Sequence, residues 1–105
     1  MAGERMDVPE KYCDYRCEDY YSSPLAIHGF WDEPGQWWVI VPAERVKEDA
    51  EFLEVGSPGV DSIGLGYRKA TSGLWAYHRM EMRFQYLAET VIELLDGWLS
   101  GRIKV

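Results

Sequence analysis

The stretch from residue 63 to residue 99 constrains the fold most, because it joins patterns that must fold back on one another. Residues 63–78 (IGLGYRKATSGLWAYH) carry the alternation and the glycine-containing turn of a β-hairpin. Polar and apolar residues then alternate strictly from Arg79 to Tyr86, which predicts a third, half-buried strand. Three consecutive strands of this kind predict an antiparallel sheet.

A helix is predicted after this strand. Thr90 and Glu93 have the spacing of a capping box, so the helix should begin near Val91. Gly101 is placed to end it, whereas Gly97 weakens its interior by about 1 kcal/mol relative to alanine. The stripe of apolar residues along this segment predicts a helix packed on one face of the sheet.

The rest of the chain predicts shorter elements. Proline punctuation and apolar spacing place a short N-terminal helix before a β-branched and aromatic central strand. The expected elements are a helix at 9–21, a strand or extended segment at 25–31, a strand at 36–41, a helical turn at 43–49, a strand at 52–55 and an edge strand at 102–105. The sequence thus predicts one α+β domain over residues 1–105, with an antiparallel sheet of four to six strands.

Composition excludes several function classes. No run of about 18 apolar residues is present to span a bilayer, and residues 1–10 lack the apolar core of a signal peptide. A cytoplasmic location is expected, with Cys13 and Cys17 as free thiols. The net charge of -7 disfavours nucleic acid and membrane surfaces as partners and favours a basic protein or a cationic ligand. The alternative is that the negative charge only keeps the domain soluble.

The aromatic residues provide the candidate binding surface, because five tryptophans and seven tyrosines exceed what a core of this size readily hides. Exposed rings favour a protein contact, including a homodimer, and acidic neighbours favour a small cationic or amphipathic ligand. For any single ring, burial in the core is the alternative. The predicted binding residues are Trp31, Asp32, Glu33, Trp38, Gly64, Gly66, Trp75 and Tyr77.

No pattern predicts catalysis or a cofactor. His78 with Glu81 nearby resembles a base and its orienting carboxylate, but no nucleophile or phosphate-binding motif accompanies them. Cys13 and Cys17 together with His28 and His78 could supply the four ligands of a zinc site, although their spacing is not that of a zinc module and core packing explains them better. A non-catalytic protein without a metal or cofactor is expected.

Four segments resemble the SMI1/KNR4-like (SUKH) family of small α+β domains. VPEKYCDYR at 8–16 is similar to that family's helix entry, and WWVIVPAERV at 37–46 to its tryptophan strand and helical turn. FLEVGSPGVDSIGLGYR at 52–68 resembles its strand, glycine turn and strand, and FQYLAETVIELLDGWL at 84–99 the entry to its last helix. The resemblance implies a non-enzymatic protein-binding domain, often a bacterial immunity protein that neutralises a toxin, and an acidic surface fits a basic toxin.

Overall fold

A computed structural model describes residues 7–49, 51–59 and 62–105 of the chain. The prediction that no signal peptide is present rests on residues 1–10. Residues 1–6 lie outside the described residues, so it stays a prediction. Within the described ranges, seven strands form one sheet in which every pairing is antiparallel. They are β1 (Phe30–Asp32), β2 (Trp37–Ile40), β3 (Lys47–Asp49), β4 (Phe52–Gly56), β5 (Ile63–Arg68), β6 (Leu74–His78) and β7 (Arg83–Ala88).

The strands follow the order β1-β2-β4-β5-β6-β7, and β3 pairs with β4 outside that path. One edge of β4 is therefore shared, since β2 pairs with it through Ile40 and Gly56 whereas β3 pairs with Phe52 to Glu54. A bulge interrupts β4 between Glu54 and Gly56. The predicted α+β sheet is confirmed, and its strand count is seven instead of four to six.

The helices pack on one face of this sheet. They are α1 (Glu18–Tyr21), α2 (Leu25–His28) and α3 (Val91–Ser100), with 3₁₀ segments at Glu10–Tyr15 and Ala43–Arg45. The core between helices and sheet joins tyrosines of the N-terminal segments and apolar residues of α3 to the inner side of the strands. Its fully buried members include Tyr15, Tyr20, Leu53, Val55, Leu65, Tyr67, Leu74, Val91 and Leu94.

Asp19 ties three of these elements together. Its carboxylate accepts a hydrogen bond from the Val91 amide at 2.6 Å, at the first turn of α3. It also accepts the hydroxyl of Tyr67 from β5 at 3.0 Å. A negative charge at a helix N-terminus is favourable, and here it holds α1, β5 and α3 in one arrangement.

The C-terminal helix begins as predicted. The Thr90 hydroxyl accepts the Glu93 amide at 3.1 Å, and α3 ends at Gly101 in the left-handed conformation. The predicted edge strand at 102–105 is wrong, because the tail turns back and the Ile103 amide bonds the carbonyl of Gly97 at 3.0 Å. A β-carbon on Gly97 would lie 2.6 Å from Cγ1 of Ile103, so the glycine makes room for that side chain.

Four further predicted elements need correction. The N-terminal helix is divided, because Arg16 takes a left-handed conformation with φ of 53° between the 3₁₀ segment and α1. The segment at 25–31 holds α2 before β1, and the helical turn after Pro42 ends at Arg45, so that β3 replaces its second half. The alternating segment forms a strand only from Arg83, since residues 79–82 are a turn in which Met82 has φ of 51°.

Candidate functional site

The side of the sheet opposite the helices carries a second cluster of rings. We call it the aromatic face, and it consists of Phe52, Trp75, Tyr77, Phe84 and Tyr86. Strand register brings them together, because Trp75 pairs with Tyr86 and Tyr77 with Phe84 across β6 and β7. Of the described helices, none contributes a ring to the aromatic face.

The rings support one another. Tyr77 and Phe84 stack with centroids 4.6 Å apart and planes 14° apart, and Phe52 lies 5.4 Å from Tyr77. Trp75 and Tyr86 meet edge to face at 5.2 Å. Phe52 is fully buried beneath its neighbours, whereas Tyr86 at the edge is 47% exposed. Such offset and edge contacts fix ring positions in advance of any binding.

Glycines of β5 lie under this cluster. Gly66 pairs with Trp75 and Gly64 with Tyr77, so neither glycine puts a side chain between the rings. A β-carbon on Gly66 would lie 2.8 Å from the carbonyl carbon of Leu53, and one on Gly64 would lie 2.9 Å from the Glu54 carboxylate. Both glycines are buried, so the face predicted to be bare is covered, and their effect is to admit close neighbours.

Two arginines lie over the rings. The Arg68 guanidinium is 4.1 Å from the Phe84 centroid and 4.8 Å from that of Trp75. Arg79 lies 5.4 Å from the Tyr77 ring and forms an ion pair with Glu54 across the sheet. Both contacts have the geometry of cation–π interactions.

The outer rim of the aromatic face ends at Tyr86. Its hydroxyl donates a hydrogen bond to the Glu89 carboxylate. That hydrogen bond is the main reason why the pKa of Tyr86 rises to about 12, with the negative charge of Glu89 acting in the same direction. Tyr86 therefore presents a neutral ring and hydroxyl near neutral pH.

The other predicted binding residues lie on the β1–β2 hairpin. Trp31 is 40% exposed and packs edge to face on Trp38 at 5.3 Å. The Asp32 carboxylate accepts the Gly35 amide at 2.9 Å, and Glu33 accepts bonds from the Gln36 side chain. Both acids are used by the turn, which explains why the sequence has them there.

A groove of about 540 Å³ lies beside this hairpin. Trp37 and Trp38 line it, and Arg45 stacks over Trp38 at 5.8 Å. Its charged lining is balanced, with two acids and two bases: Glu44, Glu54, Arg45 and Lys47. Because Glu54 also pairs with Arg79, this groove adjoins the aromatic face.

His78, the candidate base, contacts a different side chain from the Glu81 that the sequence suggested. His78 is buried and bonds the Gln85 side chain at 2.9 Å, whereas Glu81 pairs with Arg83.

The two cysteines lie in different environments. Cys17 is buried, which raises the pKa of its thiol to about 12, and Cys13 is exposed. Within residues 7–49, 51–59 and 62–105, no three His, Cys, Asp or Glu side chains are grouped to hold a metal.

The structure thus divides the eight predicted binding residues into two groups. Gly64, Gly66, Trp75 and Tyr77 belong to or underlie the aromatic face, and Trp31, Asp32, Glu33 and Trp38 form the β1–β2 hairpin. Sequence reasoning missed Phe52, Phe84 and Tyr86 of the aromatic face, and Arg68 above it. Alternation within a strand shows which residues share a side, but the pairing of Phe52 with Arg68 is set by the register between β4 and β5, which no local signal gives.

No protein-family model matches the chain, and no curated protein or solved structure is similar to it. The resemblance to the SMI1/KNR4-like family stays a prediction. In the described part of the chain, no helix has the length and apolar character that crossing a membrane requires.

Proposed function

We propose that this chain is a non-catalytic protein-interaction module whose contact surface is the aromatic face. The observation that carries the proposal is a cluster of five rings on the side of the sheet that the described helices leave open. A bacterial immunity-type protein, as the family resemblance implies, is the kind of module that we favour.

The rings of the aromatic face suit a binding surface. Tryptophan and tyrosine are enriched among the residues that contribute most to protein interfaces. Here the rings are already held by stacking and by Arg68, so a partner would lose little free energy in ordering them. Phe52 is fully buried against Tyr77 and Phe84 and supports both rings.

Charge supports a basic partner. Residues 1–61 contain 14 acidic and five basic residues, so the field of the molecule attracts a cationic protein from a distance. Exposed Asp49 lies on β3, opposite Phe52, at the border of the aromatic face. A second copy of the chain is the other partner that we consider, through the same rings.

The free thiols support a cytoplasmic location, which stays part of the proposal. Cys13 and Cys17 are both free, and Cys13 is exposed. Free exposed thiols are typical of reducing compartments, so we infer that the protein acts in the cytoplasm.

Site-specific photo-crosslinking tests the contact surface. A benzophenone amino acid replaces Tyr86 in one variant and Ile92 on α3 in a second, because these residues are similarly exposed at 47% and 52%. After irradiation in cells of the source organism, we expect the first variant to form one defined crosslinked product, identified by mass spectrometry. A product from the Ile92 position alone would overturn the choice of surface.

A small-ligand binder is the second candidate function, because Trp37 and Trp38 line a groove beside the aromatic face. An amphipathic cation would use these rings together with Glu44, since Glu54 already pairs with Arg79. Octyltrimethylammonium should then quench tryptophan fluorescence saturably, and Trp38→Phe should remove the effect whereas Trp98→Phe should not. Equal quenching by octanoate would argue against a cation-selective groove.

A further inference from the structure

Arg68 differs from the other arginines near the aromatic face. Arg79 pairs with Glu54 and Arg83 with Glu81. Among residues 7–49, 51–59 and 62–105, no carboxylate pairs with Arg68, and no acceptor takes a hydrogen bond from its guanidinium. All buried side-chain nitrogen and oxygen atoms of the described residues have partners, so the free N–H groups of Arg68 reach the surface.

The guanidinium is nevertheless held in place. Phe84 and Trp75 lie 4.1 and 4.8 Å from it, and Phe52 pairs with Arg68 across the strands. A guanidinium stacked on rings keeps its planar edge available for bonds in the same plane. Among the described residues, Arg68 is therefore a positioned donor without a carboxylate partner, held by rings, with exposed Asp49 of β3 one strand beyond Phe52.

The chemistry of this site selects a carboxylate. Two parallel N–H donors match the two oxygens of a carboxylate, and the adjoining rings of Trp75 and Tyr86 match an apolar group next to it. A polyanion is disfavoured, because Arg79, the other arginine over these rings, is neutralised by Glu54 and the whole chain carries -7. Of the arginines that lie over the rings of the aromatic face in the described part of the chain, Arg68 alone has no carboxylate partner, which suits one anionic group.

We propose that Arg68 is the anchor for a single Asp or Glu carboxylate of the partner protein, inserted beside an apolar or aromatic residue of that partner. This inference rests on the proposed interaction function and names the contact by which the partner is fixed. It is compatible with a basic partner, because the overall charge directs the approach whereas the bond at Arg68 sets the register.

Side-chain NMR of the intact protein tests the anchor. Phenylacetate is the probe, since it joins a carboxylate to a ring, and phenylacetamide is its neutral control. We expect phenylacetate to shift the Arg68 Nε–Hε and Trp75 Nε1–H resonances saturably, and phenylacetamide to leave them in place. Inorganic phosphate distinguishes a carboxylate site from a general anion site, and equal affinity for phosphate would overturn the proposal.

Matched variants assign the effect to Arg68. Arg68→Gln should weaken phenylacetate binding at least about tenfold, because the charged bidentate pair is lost. Arg83→Gln removes an exposed arginine of β7 that already has a partner and should leave binding unchanged. An Arg68→Gln protein that keeps its backbone spectrum and still binds phenylacetate as the parent does would refute the anchor.

Failure of the anchor and failure of the proposed function are distinguishable. If the Tyr86 position crosslinks to a partner as strongly in Arg68→Gln as in the parent chain, the aromatic face is a contact surface but Arg68 is not its anchor. If phenylacetate binds at Arg68 while no crosslink forms, the carboxylate site stands and the interaction function fails.

Discussion

At the scale of single residues, Asp19 connects more elements of the fold than its place in the short helix α1 suggests. Its carboxylate accepts bonds from the Val91 amide and the Tyr67 hydroxyl, and so connects α1, α3 and β5. Burial raises the pKa of the Asp19 carboxyl, although both of these hydrogen bonds act to lower it. Nothing in the sequence distinguishes Asp19 from the other 17 acidic residues, because its partners lie 48 and 72 positions away.

We predict that Asp19→Asn lowers the free energy of unfolding by about 1–3 kcal/mol, since the amide satisfies one of the two donors less well. Asp96→Asn is the control, because Asp96 forms an exposed pair with Arg102 and should cost at most about 1 kcal/mol. Urea unfolding at neutral pH measures both. Equal costs would show that the Asp19 contacts are not structural.

The pH dependence of the same residue has a definite sign. Because burial raises the pKa of Asp19, the folded chain binds a proton at this group more readily than the unfolded chain does. The stability that protonation of Asp19 contributes is therefore fully present below the unfolded-state pKa of about 3.9. It is lost as the pH rises through the higher pKa that Asp19 has in the folded chain. The difference between parent and Asp19→Asn should widen as pH falls from 7 towards 4, and a difference that narrows would contradict the raised pKa.

At the scale of elements, local signals predicted well where the decisive contact is local. The capping box at Thr90 and the hairpin of β5 and β6 depend on neighbours in sequence, and both are present. The alternation through Met80 and Met82 predicted a strand where the chain turns. An antiparallel return from β6 to β7 needs a turn at these residues, and both methionines are exposed in it. The aromatic face lay beyond local signals, since Phe52 meets Tyr77 across two strand pairings.

The contact between α3 and the tail yields a prediction about Gly97. In the parent chain Gly97→Ala should destabilise by roughly 1 kcal/mol, because the new methyl group displaces the Ile103 side chain. In an Ile103→Ala background the same change should stabilise by about 1 kcal/mol, since only the helix propensity of alanine remains. Thermal unfolding of the four proteins gives the coupling, and the same sign in both backgrounds would show that Ile103 does not explain the glycine.

At the scale of the whole molecule, charge and rings are distributed unequally. Residues 62–105 hold six basic and four acidic residues and supply four of the five rings of the aromatic face. Residues 1–61 hold most of the negative charge. A partner that approaches thus meets a long-range attraction or repulsion set by one part of the chain and a contact surface made largely by another.

This distribution separates the two proposed partners by the sign of a salt effect. Two copies that each carry -7 repel, so self-association through the aromatic face should strengthen as sodium chloride rises from about 20 mM to about 300 mM. A basic partner should bind more weakly over the same range, because screening removes the attraction. Sedimentation velocity of the chain alone, compared with Tyr86→Ala, measures self-association at each salt concentration. The partner identified by crosslinking is used to measure the salt dependence of the binding between the two proteins. A dimer that weakens with salt would show that ion pairs between acidic residues of one copy and basic residues of the other hold it, instead of the aromatic face.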